Sequence, residues 1–176
     1  AKFSSESDDL VIGRNAVLEA LRCGVPASTL YVAARIEHDD RTREIIRLAG
    51  IHGLNLMEAD RLEMDRIARS SNHQGVVMKA QPFQYSSLAE LVERADKKSR
   101  AMEAANSTSA RIAARPLFIA LDGVTDPQNL GAVIRSAAAF GANGVILPER
   151  RSASVTAAAW KVSAGAAAHM PVARVV

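Results

Sequence analysis

The segment from Asp122 to Ala142 contains residues whose types and spacing could do chemistry. Asn129 stands at the start of a predicted helix, and Arg135 follows it six residues later. The free N–H groups and the dipole at a helix N-terminus attract anions, and a guanidinium can bind a phosphate through two parallel hydrogen bonds. The neighbours of Arg135 one helical turn away are a glycine and two alanines, which predict an uncovered guanidinium. The alternative is an ordinary solvated arginine on a helix surface.

The loop at the start of this segment lacks the glycine patterns of two common nucleotide-binding motifs. No Gly-Lys-Ser/Thr follows it, which excludes a Walker loop, and no G-x-G-x-x-G is present. The acidic residue that binds a ribose in dinucleotide-binding domains is also missing. A nucleotide-binding Rossmann protein is therefore a weak interpretation of this half of the chain.

The elements around the segment predict half of a Rossmann-like parallel sheet. An apolar strand at Leu117–Leu121 leads through the loop into a helix that ends near Phe140, and a second strand follows at Gly144–Leu147. A further helix around Val155–Ala168 and a strand at 171–176 complete a β-α-β-α-β order. Because nothing after this last strand completes the other half, the pattern predicts a domain that is truncated.

The first 80 residues predict a small α/β sandwich, because helical and strand-like patterns alternate along them. Asn15 can cap the first helix, and Asp60 with Glu63 makes a capping pair for another. The predicted strands are Thr29–Ala33, a short one at 54–56, and Val76–Ala80.

A helix and a linker are predicted between the two halves. Ser87 and Glu90 form a capping signature before a helical pattern, whereas Lys97–Ala114 is polar, rich in small residues and aperiodic, which is typical of a mobile linker. The predicted organisation is a domain at 1–80, a helix and flexible linker at 81–114, and a domain at 115–176.

The overall composition gives weaker evidence about the class of protein. The chain has 22 Lys and Arg against 19 Asp and Glu and a pI of about 9.4, which is compatible with nucleic-acid binding without being diagnostic of it. The single cysteine, Cys23, excludes an intrachain disulfide, and no Cys/His cluster has zinc spacing, so we expect no metal. No apolar run approaches the roughly 20 residues of a membrane helix. No secretory signal is recognisable, and we expect a cytoplasmic protein with no membrane partner.

The segment from Asp122 to Ala142 resembles the first signature motif of the SpoU/TrmH family, a branch of the SPOUT superfamily of methyltransferases. The matching elements are the D-x-V-x-D-P-x-N-x-G loop, whose asparagine is Asn129, and the arginine six residues later, which is Arg135. This motif is highly specific, and the resemblance covers almost the whole chain apart from the linker.

Other stretches extend the resemblance on both sides of the motif. Glu149–Ser154 and Lys161–Ala166 stand where the family has related sequences. Ile12–Leu21 and His73–Val77 resemble the amino-terminal substrate-binding domain of the ribosomal members, which is similar to a ribosomal-protein RNA-binding fold. The resemblance is to the bacterial 23S rRNA guanosine 2′-O-methyltransferase type.

The resemblance implies an RNA 2′-O-ribose methyltransferase that uses S-adenosylmethionine and acts as a homodimer on ribosomal RNA. It implies that Arg135 is catalytic and that Asn129 caps its helix and helps to place Arg135 or the ribose; a structural cap alone is the alternative for Asn129. A guanidinium stays protonated at neutral pH and is a poor base there. We therefore expect Arg135 to bind the adjacent phosphate and stabilise the developing alkoxide, although the family also describes this arginine as a general base.

The chain departs from the family pattern downstream of these motifs. Family members continue with a G-x-E-G loop and an S-L-N-V-S-x-A segment, which form the trefoil knot that holds the methyl donor, and neither occurs before Val176. The resemblance therefore implies that the donor pocket lies mostly outside this chain, and we expect the chain by itself to be inactive. The alternative function is a non-catalytic RNA-binding module.

Further candidate RNA contacts are polar residues in loops and at helix starts. In this group His73 and Gln74 lie in a turn, where simple solvation is the alternative interpretation. Trp160 is expected in the core or at a subunit interface rather than as a base-stacking platform. The candidate RNA-binding residues are Arg14, Asn15, His73, Gln74, Arg150, Arg151 and Lys161.

Overall fold

The computed structural model describes residues 10–37, 39–103 and 115–176, and the chain divides into two compact units, Ala1–Pro82 and Phe83–Val176. Each unit combines a β-sheet with packed helices, which confirms the predicted α/β class. No helix in the described part of the chain is long and apolar enough to cross a membrane.

The first unit is built on a four-stranded mixed sheet with the strand order β1-β4-β2-β3. Strand β4 pairs antiparallel with both β1 and β2, whereas β2 and β3 are parallel. The short first strand was not predicted, because three residues carry too little pattern to be recognised. The strands are β1 (Leu10–Ile12), β2 (Ala27–Ala33), β3 (Asn55–Ala59) and β4 (Val76–Ala80).

The described part of this unit has three helices, of which α1 and α3 contact the sheet and α2 packs on α1: α1 (Arg14–Arg22), α2 (Asp40–Ile51) and α3 (Arg61–Ala68). The predicted capping pair at the start of α3 is confirmed, because the Asp60 carboxylate accepts a hydrogen bond from the Glu63 N–H at 2.8 Å. The predicted cap at Asn15 is wrong: α1 begins one residue earlier, and Gly13 occupies the N-cap position.

The second unit contains a parallel three-stranded sheet in the order β5-β6-β7, as the β-α-β-α-β pattern predicts. The free edge of β7 is partly covered, because Ser86 forms an isolated parallel bridge with Ala173. The elements are β5 (Phe118–Ala120), α5 (Pro127–Ala139), β6 (Gly144–Pro148), α6 (Ala157–Val162), a 3-10 turn (Ala166–Ala168) and β7 (Val172–Val175).

A helix preceding this sheet, α4 (Leu88–Glu103), belongs to the second unit. The capping signature at its start is confirmed, since Ser87 and Glu90 exchange hydrogen bonds of 2.7 and 3.2 Å. The helix continues through residues 97–103, which were predicted as linker. Ion pairs one turn apart, such as Lys97 with Glu93 at 2.6 Å, support a helix that has no apolar periodicity there. The rest of the predicted linker, 104–114, lies outside the described residues.

Candidate functional site

Arg135 lies on an exposed face of α5, in the third turn of the helix. The residues that follow at helical spacing, Ala138 and Ala139, are exposed beside it, so the small side chains leave this face open. Asn129 lies in the first turn of the same helix and is also exposed. A separation of six residues corresponds to about 9 Å along a helix axis. The same separation rotates the side-chain direction by about 600°, so the two side chains leave the helix about 120° apart, on different faces.

The N-cap of α5 is Asp126, and the expectation that Asn129 caps the helix is wrong. The Asp126 carboxylate accepts a hydrogen bond from the Gln128 N–H at 2.9 Å, and Pro127 occupies the first helical turn. Proline favours that position because its fixed φ suits the helix and its missing N–H would have no partner there. The polar side chain of Asn129 is consequently not engaged as a cap and faces solvent.

Gly131 has a packing role that the sequence analysis did not predict. A Cβ atom at this position would overlap the carbonyl oxygen of Ala159 and lie 3.0 Å from the Cβ of Val162. Both residues belong to α6, so the absent side chain lets two helices approach closely. The uncovered environment of Arg135 comes from the alanines that follow it rather than from this glycine.

The carboxyl ends of the parallel strands bring two loops together at the start of α5. The N–H of Ala153 donates to the carbonyl of Val124 at 2.8 Å and joins the loop after β6 to the loop after β5. Arg150 and Arg151 are exposed in the first of these loops. Arg151 has a left-handed backbone with φ 55°, a conformation that is uncommon outside glycine. Lys161 is exposed on α6.

An arginine that the sequence analysis missed contacts the same loop. The guanidinium of Arg174 lies 4.2 Å from the centroid of the Tyr85 ring and donates from Nη2 to the Ser154 hydroxyl at 2.7 Å. The Tyr85 hydroxyl accepts a hydrogen bond from the Val155 N–H at 2.9 Å. No local pattern could have found this cluster, because its members come from three separate segments of the second unit.

In the first unit, Arg14 joins two motifs that the sequence analysis singled out separately. Its backbone N–H donates to the Gln74 side chain at 3.2 Å, and its Nε donates to the Gln74 carbonyl at 3.1 Å. Its Nη1 forms an ion pair of 3.0 Å with Asp39, the N-cap residue of α2. Arg14 is therefore held by protein groups, whereas the neighbouring Asn15 is exposed.

The charge of Asp39 is stabilised by these contacts. The Thr42 backbone N–H donates to its carboxylate at 2.7 Å. This hydrogen bond, together with the positive charge of Arg14, holds the pKa of Asp39 below its ordinary value of 3.8. The carboxylate therefore stays ionised and keeps Arg14 in place at neutral pH.

His73 is buried, with 5% of its surface exposed. Its Nδ1 accepts a hydrogen bond from the Gly75 N–H at 2.9 Å, and its Nε2 lies 3.1 Å from an Asp65 carboxylate oxygen. Since Nδ1 is an acceptor, Nε2 carries the proton and donates to Asp65. These contacts make His73 a support for the turn that presents Gln74, which is exposed with φ 53°.

The described residues contain no group of three or more His, Cys, Asp or Glu side chains that could hold a metal ion. Exposed cations on the loops and helices around the parallel sheet include Arg135, Arg150, Arg151 and Lys161. Such a surface can bind an extended anion such as a polynucleotide backbone.

The chain is similar to solved structures that include an AdoMet-bound rRNA methyltransferase from Sinorhizobium meliloti, with 24% identity over 94% of this chain and 53% of that chain and a TM-score of 0.48. Two curated relatives, each called an uncharacterized tRNA/rRNA methyltransferase, come from Mycolicibacterium vanbaalenii and Mycolicibacterium gilvum. They are 46% and 45% identical over 97% of this chain. The chain spans about half the length of these relatives, because the matches cover 50% of each.

Two family descriptions match the two halves of the chain separately. Residues 10–86 match RNA 2′-O ribose methyltransferase substrate binding, and residues 116–176 match the SpoU rRNA Methylase family. The second match contains both Asn129 and Arg135 with the loop that precedes them. The chain belongs to the SpoU family of RNA methylases.

Proposed function

We propose that the full-length protein transfers a methyl group from S-adenosylmethionine to a ribose 2′-hydroxyl of ribosomal RNA, 23S rRNA in particular. The observation that carries this proposal is the SpoU methylase match over 116–176, in which Arg135 stands exposed on α5. The substrate-binding match over 10–86 supports RNA recognition by the first unit. We further propose that the enzyme works as a cytoplasmic homodimer in rRNA processing.

In this proposal Arg135 binds the phosphate next to the target ribose and stabilises negative charge on the 2′-oxygen. A guanidinium stays protonated at neutral pH, so it serves as a donor of hydrogen bonds rather than as a base. Asn129, which is free of a capping role, offers an amide to the ribose from the first turn of α5. The exposure of both side chains supports contact with a macromolecular substrate.

The strand-exit loops that the structure describes do not fit the methyl donor itself. An adenosine pocket is enclosed and mostly apolar, whereas the strand-exit loops present exposed charged residues such as Asp122, Arg150 and Arg151. When bound, S-adenosylmethionine supplies the methyl group. We propose that other parts of the full-length protein hold the donor and that this chain contributes the RNA-facing side.

We propose that the first unit contacts RNA mainly through Asn15 and Gln74, which are exposed. Gln74 also accepts hydrogen bonds from Arg14, so its RNA contact would use the amide group of the side chain while its oxygen caps α1. Arg14 and His73 support these positions from within the unit, since both already have protein partners. Arg150, Arg151 and Lys161 are proposed phosphate contacts of the second unit. Their exposure supports this role.

Methyl transfer by the full-length enzyme tests the proposal. With tritiated S-adenosylmethionine and ribosomal RNA, Arg135→Ala should lower the rate by about 100-fold or more, the usual effect of removing one charge-stabilising donor. Arg94→Ala is a matched control, because Arg94 is also an exposed helical arginine of the second unit. Donor binding measured by calorimetry should be unchanged in both variants. A rate for Arg135→Ala within a fewfold of wild type would contradict the assignment.

A second candidate function is RNA binding without catalysis, favoured by the substrate-binding match over 10–86. The two functions differ in one readout. A full-length protein that binds ribosomal RNA but transfers no methyl group, under conditions in which it also binds S-adenosylmethionine, would support the non-catalytic function.

A further inference from the structure

We propose that Arg174 binds a phosphodiester of the RNA substrate, with Tyr85 and Ser154 holding its side chain beside the loop at residues 149–156. This inference rests on the proposed function and adds a residue to its RNA-facing surface. All the groups involved belong to the second unit.

The guanidinium of Arg174 is fixed from two directions. The Tyr85 ring lies below it at 4.2 Å, and the Ser154 hydroxyl accepts a hydrogen bond of 2.7 Å from Nη2. A cation over an aromatic face is attracted by the negative face of the ring, and more strongly when it is desolvated. An arginine held in this way loses little side-chain entropy when it binds an anion.

The positive charge of Arg174 is not neutralised within the part of the chain that the structure describes. No carboxylate there lies within 4.0 Å of its nitrogens, since no ion pair of this residue is found. Its Nε is buried without a hydrogen-bond partner, whereas the residue as a whole is partly exposed. A partly buried cation without a counter-charge is costly. An anion at its exposed side would supply that charge.

Neighbouring cations favour a phosphodiester as this anion. The Glu149 N–H donates to the Val175 carbonyl at 2.7 Å, which ties the start of the loop to the residue after Arg174. Arg150 and Arg151 follow in this loop and are exposed. The loop at residues 149–156 and Arg174 together carry three arginines and one glutamate, whereas the loop after β5 carries Asp122 and Asp126. The positive charge is therefore concentrated beside Arg174, which suits a polynucleotide with regularly spaced phosphates.

Tyr85 and Ser154 hold Arg174 and together form the Arg174 clamp. Further aromatic residues support this clamp and make it a fixed feature of the unit. The Phe83 ring packs edge-on against Tyr85 at a centroid distance of 5.0 Å and against Trp160 at 6.0 Å. Trp160 is itself buried on α6. The Tyr85 hydroxyl also accepts from the Val155 N–H, so one tyrosine orients both Arg174 and the loop.

Salt-dependent binding of a fluorescein-labelled single-stranded RNA to the 176-residue chain tests the inference. Each phosphate contact to a single strand contributes about 0.7 to the slope of log K against log salt concentration. Arg174→Gln should reduce the slope by about 0.7 and weaken binding about tenfold at low salt. Arg174→Lys should keep most of the slope, because a lysine still binds phosphate as a point charge. Arg94→Gln, which removes the same charge elsewhere in the unit, should leave the slope unchanged.

The outcomes separate this inference from the proposed function. If the wild-type chain shows no salt-dependent RNA binding, the proposal that this chain contributes the RNA-facing side is contradicted. If the wild-type chain binds but Arg174→Gln and Arg94→Gln have equal slopes, only the role of Arg174 is overturned.

The thermal unfolding of each variant identifies a fold defect, and if Arg174→Gln fails to fold, Tyr85→Leu provides the second variant. That variant removes the aromatic support while keeping the charge, and it should weaken binding with little change in slope. Wild-type affinity for Tyr85→Leu would overturn the clamp.

Discussion

The Gln74 side-chain oxygen accepts a hydrogen bond of 3.2 Å from the backbone N–H of Arg14. A residue 60 positions away thus supplies a hydrogen-bond acceptor to the first turn of α1. The N-cap residue of this helix is Gly13, which has no side chain to do so. The first N–H groups of a helix have no partner within the helix. Two motifs that are distant in sequence are thus a single structural feature.

We expect Gln74→Ala to lower the stability of the first unit by about 1 kcal/mol, the usual loss for one capping hydrogen bond. Glutamine and alanine are similarly disfavoured at the positive φ of this residue, so the change reports mainly the lost acceptor. Urea denaturation measures the effect. Gln81→Ala is the control, because Gln81 is exposed and only its backbone N–H has an assigned hydrogen bond. Equal midpoints for the two variants would show that the cap does not stabilise the unit.

The stability of the first unit should depend on the charge of Asp39. The folded state holds the pKa of this carboxyl below 3.8 through the Thr42 N–H and the charge of Arg14. A lowered folded pKa stabilises the protein above the unfolded value, and this contribution is lost as the pH falls through the folded value. Asp39→Asn keeps an acceptor for the Thr42 N–H but should lose this part of the acid sensitivity. Thermal unfolding between about pH 5 and pH 2.5 measures it, with Asp40→Asn as the neighbouring control. If the melting temperature of Asp39→Asn falls with decreasing pH as much as that of the wild type, the assignment is contradicted.

Two variants at the start of α5 should distinguish a residue that stabilises the helix from a residue that takes part in methyl transfer. Asp126→Ala removes the N-cap and should cost about 1 kcal/mol of stability. Asn129→Ala removes an exposed side chain and should change stability by less than about 0.5 kcal/mol. In the full-length enzyme we expect the second change to slow methyl transfer, because Asn129 faces the proposed ribose site. Unfolding curves and methylation rates of both variants are the measurements, and a large stability loss for Asn129→Ala would return this residue to a structural role.

Gly131→Ala should destabilise the second unit by about 1–3 kcal/mol, because the new Cβ would overlap α6 at Ala159. This loss would outweigh the gain of up to about 1 kcal/mol that alanine brings to a helix. Gly50→Ala makes the same change on α2, where no atom lies within 4 Å of the new Cβ, and should be neutral or stabilising. Thermal unfolding compares the two variants. If both raise the melting temperature, the two helices of the second unit can separate more easily than their packing indicates.

A fragment of residues 1–82 should fold alone and bind ribosomal RNA weakly, with an affinity that falls steeply as salt rises. The first unit has its own buried core, including Leu30, Ile45 and Met78. Circular dichroism checks the fold, and fluorescence anisotropy with labelled RNA checks the binding. A folded fragment without salt-dependent binding would indicate a protein-contact role for this unit.

Local signals in the sequence predicted those features that depend on neighbouring residues. Capping pairs such as Asp60 with Glu63 and Ser87 with Glu90 were recognisable because each completes itself within three residues. The parallel order of the second sheet followed from alternating strands and helices. The length of α4 was underestimated because charged side chains, rather than an apolar stripe, support its last turns.

Features that depend on distant residues could not be predicted. The buried position of His73 depends on Asp65 and on the turn at Gly75, and nothing in a His-Gln pair indicates these contacts. Arg174 lies within a strand that has an ordinary apolar pattern, and its contact with Tyr85 spans 89 positions of the chain. Such contacts require the fold itself. A glycine such as Gly131 is visible in the sequence, but its partner helix is not.

The strand order of the first unit affects when the unit can be completed during synthesis. Among the strands that the structure describes, β1 pairs only with β4, and Leu10 lies opposite Lys79 in the register. A ribosome that adds about 5–20 residues per second needs roughly 3–14 s between these two positions. During that interval the amino-terminal strand has no partner, and α1 lacks the glutamine that completes its first turn. The nascent chain therefore reaches its native arrangement only when the last strand of the unit has left the ribosomal tunnel.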